Sequence, residues 1–144
     1  MTTLELYGTE AEIERLLAET RTWAIVGLGS DPTRPAFAVS RFLQQLGKRI
    51  VPVHPRAETV HGEQGYATLA DIPFPVDVVD YFVRADRVGP LVDDALALDP
   101  KPLAIWMQLT VVDEAAAQRA RDAGLITVMN HCPAIEWRDH GPRA

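Results

Sequence analysis

Between an apolar run, Thr22–Val26, and a helical pattern that opens at Pro35, the chain reads Gly27-Leu28-Gly29-Ser30-Asp31-Pro32-Thr33-Arg34. Glycines at such a junction let a polyanion approach the backbone. The free N–H groups of the following helix supply donors and the positive end of a dipole. Ser30 adds a hydroxyl and Arg34 a charge, so the chemistry on offer is phosphate or pyrophosphate binding. The dinucleotide fingerprint G-x-G-x-x-G requires a third glycine at position 32, where Pro32 stands. The loop suits a phosphate better than it suits NAD.

A second group follows the next apolar run: Val53, His54, Pro55 and Arg56. An NAD site places an acid here to hold the ribose hydroxyls, and none occurs before Glu58. Arg56 instead suits a ribose phosphate, which leaves NADP or coenzyme A. Further along, Val83-Arg84 and Gln108 end two more apolar runs. Gln108 is placed to bond a ligand amide or ribose, whereas Trp106 is expected to pack in the core.

Chemistry of other kinds finds little support. His131 and Cys132 are adjacent, not one helical turn apart, so a zinc site is not expected. The same adjacency argues against a nucleophile and base, because neighbouring side chains point apart. Asp77 and Asp80, three apart on a strand, face opposite sides and make no carboxylate pair. No catalytic or metal-ligating set is expected.

The elements that must position these residues follow from periodicity. Helical stripes are expected over 10–19, 35–46, from Arg87 to about Leu98, and 115–123, with one helical turn over 68–72. Strands are expected at 22–26, 50–53, 76–83, 104–107 and 125–129. Pro90 is compatible with its helix only if that helix starts near Arg87. Alternating strands and helices predict a single doubly wound α/β domain with a five-stranded parallel sheet, residues 1–21 forming an N-terminal helical extension packed on it. Ligands of such sheets bind at the carboxyl ends of the strands, where each residue named above stands.

Composition narrows the class. The 144 residues include 14 Lys+Arg and 20 Asp+Glu, a net charge of −6. That lacks the clustered positive charge of a nucleic-acid footprint. No apolar run approaches the length of a membrane span, and residues 1–14 lack the basic and apolar regions of a signal peptide. One cysteine excludes an internal disulfide, so the cytoplasm is the expected compartment.

Taken together, these residues resemble the small stand-alone CoA-binding proteins related to the N-terminal domain of the succinyl-CoA synthetase α subunit. The resemblance runs from about Thr22 to Glu136. It rests on Ala24-Ile25-Val26-Gly27, Arg34-Pro35, Pro52-Val53-His54-Pro55, Val76-Asp77-Val78-Val79, Trp106-Met107-Gln108 and Cys132. It implies a Rossmann-like sheet with a CoA nucleotide across the strand ends. Gly27, Leu28, Gly29 and Ser30, with Arg34, would meet the pyrophosphate. Val53, His54, Pro55 and Arg56 would border the adenosine and its 3′-phosphate. Val83 and Arg84 would line the far side, and Gln108 the mouth. The expected function is non-catalytic binding of CoA or a small acyl-CoA, as carrier, sensor or partner of an acyl-CoA enzyme or of a second copy. The alternative is an NADP-binding oxidoreductase or redox sensor. Three positions depart from the family pattern. His54 replaces an asparagine, Thr110 replaces a glycine, and Asn130-His131 replaces an acidic-basic pair.

Overall fold

The computed structural model describes residues 3–140. Five short runs of apolar and β-branched residues form strands: β1 (Thr22–Val26), β2 (Arg49–Val53), β3 (Val78–Tyr81), β4 (Ala104–Met107) and β5 (Ile126–Val128). All pair in parallel, in the order β2-β1-β3-β4-β5. Around them lie α1 (Glu10–Glu19), α2 (Pro35–Gln45), α3 (Ala85–Leu96), α4 (Glu114–Asp122) and α5 (Pro133–His140). The expected doubly wound α/β domain is therefore the observed one.

Alternation along the strands gives the sheet two buried faces. Val26, Val79, Tyr81 and Ile105 point to one, where Val88, Val92 and the alanines of α4 cover them. Trp23, Ile25 and Trp106 point to the other, under Leu16, Leu17 and Leu43 of α1 and α2. The chain winds outward in both directions from β1 and β3. The crevice above those two strands is the place where ligands of this architecture bind.

Four details differ from the sequence reading. β3 is shorter than 76–83: Asp77 stands at a bend just before it, its N–H donating to the Thr22 carbonyl (2.9 Å) and its carboxylate accepting the N–H groups of Arg21 (2.8 Å) and Thr22 (3.0 Å). Helix α3 starts at Ala85, with Pro90 inside it, and not near Arg87. Pro90 deprives the Asp86 carbonyl of its intrahelical donor, while buried Val88, Val92 and Ala95 hold the helix to the sheet. The single turn over 68–72 is a 3-10 turn at Leu69–Asp71. Helix α5 carries no clear apolar stripe, so periodicity misses it. It forms because the Cys132 carbonyl accepts the Glu136 N–H (2.9 Å) and Trp137 packs on the α1 and α2 side.

The first described residues strap the β5 edge. The Tyr7 carbonyl accepts the Met129 N–H (3.3 Å), and the Thr127 hydroxyl donates to the Leu6 carbonyl (2.9 Å). Arg121 ties this strap down. It donates to both oxygens of Glu12 (2.8 and 2.9 Å), to the Glu5 carbonyl (2.7 Å) and to Thr127 (2.9 Å). This pairing holds the Glu12 carboxyl below its ordinary range. Arg121→Met is expected to destabilise the protein by about 2 kcal/mol, since it strands a half-buried carboxylate. The strap should loosen first, read as faster amide exchange over residues 5–17 than over β1 and β3.

One polar group in the core has no such partners. Asp80 lies at the centre of β3, between Ile25 and Trp106, with no exposed surface. Among the described residues neither carboxyl oxygen has a hydrogen-bond partner. Burial raises its pKa well above the ordinary value, and the neighbouring Tyr81 amide offsets this only slightly.

Candidate functional site

The carboxyl ends of β1, β2 and β3 open on a cavity of about 430 Å³. Val26, Gly27, Val53, Phe82 and Val83 line its base, and His54, Pro55, Thr68 and Leu69 form one wall. Helix α3 supplies Arg87, Leu91 and Asp94, and Arg34 and Arg84 complete the rim. Three guanidinium groups around one apolar-floored opening favour a ligand with an anionic portion. Asp94 is the acidic residue in the lining, and the Arg84 guanidinium also donates to Asp86 (2.9 Å).

Of the residues singled out from sequence, Gly27, Arg34, Val53, His54, Pro55, Val83 and Arg84 meet in this cavity. Arg87 was missed. It stands one turn into α3 from Arg84, so its position on the rim follows only once the helix start is known.

The remainder lie beside the cavity. Leu28 has no exposed surface and packs in the core, so only its backbone is available to a ligand. Gln108 is buried at the end of β4. Arg56 is exposed next to Pro55. Its N–H donates to Nδ1 of His54 (3.2 Å), which turns that ring back on its own loop.

Gly29 and Ser30 lie under the loop that follows Pro55. The Ser30 hydroxyl donates to Oε2 of Glu58 (2.7 Å), and a side chain at Gly29 would meet Glu58 Oε1 at 3.4 Å. The Ser30 hydrogen bond is the main reason that the Glu58 carboxyl sits below its ordinary range, with Arg56 and His54 adding to it. Two features fix this loop. Ala57 takes a positive φ of 49°, and a Cβ at Gly65 would lie 2.1 Å from the Glu58 carbonyl oxygen. Thus an acid does reach the glycine loop, from five residues beyond β2. Asp31, held ionised by hydrogen bonds from the Thr33 hydroxyl and amide, adds a second negative charge there. Anionic groups of a ligand are favoured on the arginine side and disfavoured over Ser30.

A second constellation sits at the ends of β4 and β5. The Trp106 indole N–H donates to the His131 carbonyl (2.9 Å), and the His131 N–H donates to the Met107 carbonyl (3.3 Å). His131 Nδ1 lies 2.9 Å from Oε1 of Glu136, which is largely buried. Oε1 of Gln108 is buried without a hydrogen-bond partner among the described residues. Thr110 and Asn130 both adopt left-handed backbone, φ 71° and 62°, and the Thr110 N–H donates to Oδ1 of Asn130 (2.8 Å). For a β-branched residue such as Thr110 this conformation is strained. Sequence reading singled out Gln108 and set aside the neighbours His131 and Cys132. It missed Glu136 as a partner, because a contact across a helix start has no periodic signature.

Fold and cavity define a nucleotide-site architecture: a doubly wound parallel sheet with its opening at the switch point and arginines on the rim. The family model for the CoA binding domain matches residues 21–138, and the chain belongs to that family. It is 30% identical over 124 residues to the uncharacterized protein YneT of Bacillus subtilis (strain 168), covering 86% of this chain and 90% of that one. A solved structure of a hypothetical protein from Pyrococcus horikoshii OT3 superposes with a TM-score of 0.85 at 31% identity, over 92% of each chain. The fold also recurs in the dinucleotide forming acetyl-coenzyme A synthetase 1 of Ca. Korarchaeum cryptofilum. There the TM-score is 0.63 at 24% identity, over 78% of this chain and 26% of that one. Nothing in these likenesses supports the NADP alternative. Among the described residues no helix is long and apolar enough to cross a membrane.

Proposed function

We propose that this chain binds coenzyme A, or a small acyl-CoA, in the arginine-rimmed cavity, and acts without breaking a carbon bond: as a carrier, a sensor or the CoA-holding partner of an acyl-CoA enzyme. The observation that carries the reading is the convergence of Arg34, Arg84 and Arg87 on the cavity above β1 and β3, in a chain of the CoA binding domain family. The pyrophosphate lies against the Gly27 turn and these guanidinium groups, away from Glu58. The adenosine lies on the His54-Pro55 wall. Exposed Arg56, one residue beyond that wall, meets the 3′-phosphate.

The test is calorimetric titration with CoA, acetyl-CoA, dephospho-CoA, NAD and NADP after stripping any copurified ligand. Selective binding of CoA or its thioester is the expected result, and selective NADP binding or silence from all five overturns the reading. Variants then divide the site. A charge-assisted hydrogen bond contributes about 1.5–3 kcal/mol, so Arg56→Ala should weaken CoA about tenfold or more and leave dephospho-CoA unchanged. Arg84→Ala should weaken both ligands alike. Equal losses of both ligands in Arg56→Ala would move the 3′-phosphate elsewhere.

A further inference from the structure

We propose that His131 is a base for the thiol of the bound CoA, and that Glu136 is its positioning residue. The inference rests on the CoA reading, because the thiol is that ligand's reactive end.

The geometry begins with the tautomer. A carboxylate only accepts hydrogen bonds, so the contact between Glu136 Oε1 and His131 Nδ1 at 2.9 Å puts the ring proton on Nδ1. The neutral ring then carries a free lone pair on Nε2. The Glu136 side chain is 11% exposed and the His131 side chain 33%, so the carboxylate is held inside while the imidazole keeps access to the surface. Two hydrogen bonds at its backbone, from the Trp106 indole N–H to the His131 carbonyl and from the His131 N–H to the Met107 carbonyl, fix the residue to β4. This is the arrangement of an oriented base.

Its place on the sheet supplies the substrate. Arg84 follows β3, Gln108 follows β4 and His131 follows β5, and these strands are consecutive neighbours. From the end of β3 to the end of β5 is two strand spacings, about 10 Å. The arm of CoA between pyrophosphate and sulfur is some twelve bonds, the extended length of roughly four residues or ~14 Å. An arm leaving the arginine rim can therefore cross β4 and set its sulfur at β5. Gln108 lies under that path with a buried, unpartnered carbonyl oxygen, an acceptor of the kind that an amide N–H on the arm would satisfy. The left-handed pair Thr110 and Asn130, joined by a hydrogen bond, stiffens the same strand ends.

The step is one proton transfer. The S–H bond breaks, Nε2 of His131 gains the proton, and the sulfur keeps the electron pair as a thiolate. Glu136 faces the resulting imidazolium. No oxidant or co-reactant is required.

The experiment uses the full chain saturated with CoA, saturation being shown first by calorimetry. Iodoacetamide is added near neutral pH, and alkylated CoA is quantified by mass so that Cys132 does not contribute. A free thiol is only a few per cent ionised there, so bound CoA should react about tenfold faster than free CoA, allowing for the weaker nucleophilicity of a stabilised thiolate. His131→Gln and His131→Arg should hold CoA and lose the acceleration. Arginine keeps the ion pair with Glu136, so a merely structural pair would leave His131→Arg unchanged. Glu136→Gln should reduce both the acceleration and the ultraviolet absorbance of the thiolate. If CoA does not bind, the functional reading falls and this proposal with it. If CoA binds but its thiol reacts as it does free in solution, or if His131→Arg keeps the acceleration, the proposal alone is overturned.

Discussion

Gly27→Ala is expected to destabilise the protein by roughly 3–5 kcal/mol, from left-handed strain and overpacking together. The residue has φ 96°, and a Cβ there would stand 2.3 Å from the Phe82 carbonyl oxygen at the end of β3. That oxygen belongs to backbone, which cannot swing aside. The neighbouring ladder is closed as well, since the Gly27 N–H donates to the Val53 carbonyl (2.8 Å) and the Phe82 N–H to the Val26 carbonyl (2.8 Å). A domain of this kind has only about 5–15 kcal/mol to lose, so much of the variant should be unfolded on modest heating. The glycine is thus demanded by the sheet before any ligand arrives, and loss of CoA binding in a Gly27 variant says nothing about a pyrophosphate. Gly29 is the better probe. A Cβ there meets Glu58 and His54 only at ordinary contact distances, 3.4 and 3.5 Å. Gly29→Ala should keep the parent's midpoint in urea within the error of measurement. A Gly27→Ala variant that unfolds at the parent's midpoint would show that the β1–β3 junction yields more than this packing allows.

That contrast marks how far sequence reaches. The pattern G-x-G placed a glycine turn between β1 and α2, because strand and helix periodicities are local. It could not tell the two glycines apart, since one faces Phe82 and the other Glu58, residues 55 and 29 positions away. Glu58 shows the same limit. By position it is too late for the acid of a dinucleotide site, yet Ala57 and Gly65 bend its loop back onto Ser30. The arginines divide likewise. Arg34 and Arg84 were legible as residues following strands, whereas Arg87 needed the start of α3, which Pro90 obscured. The parallel sheet itself was legible throughout, because strands buried on both faces read as continuous apolar runs. Asp80 interrupts such a run, and sequence alone offered no reason to expect its carboxyl to be wholly enclosed.

The enclosure of Asp80 has a consequence for stability against pH. In the unfolded chain its carboxyl ionises in the ordinary range, near 3.8. In the folded protein burial raises the pKa well above that value, so the native state keeps a proton that the unfolded state has released. With more protons bound to the folded form, stability falls as pH rises from about 4, by up to about 1.4 kcal/mol per pH unit. It stops falling once the folded pKa is passed. The stabilising share is therefore fully present in acid and lost toward neutrality, the reverse of a salt-bridged aspartate. Asp80→Asn isolates the effect, because asparagine has the shape of the protonated acid and does not titrate. Near pH 4 variant and parent should unfold at similar urea concentrations. Near pH 8 the variant should be the more stable, by a margin that widens with pH until the folded carboxyl has ionised. A difference that stays constant across this range would mean that the Asp80 carboxyl titrates alike in both states, and that the core around Ile25 and Trp106 opens to accommodate its charge.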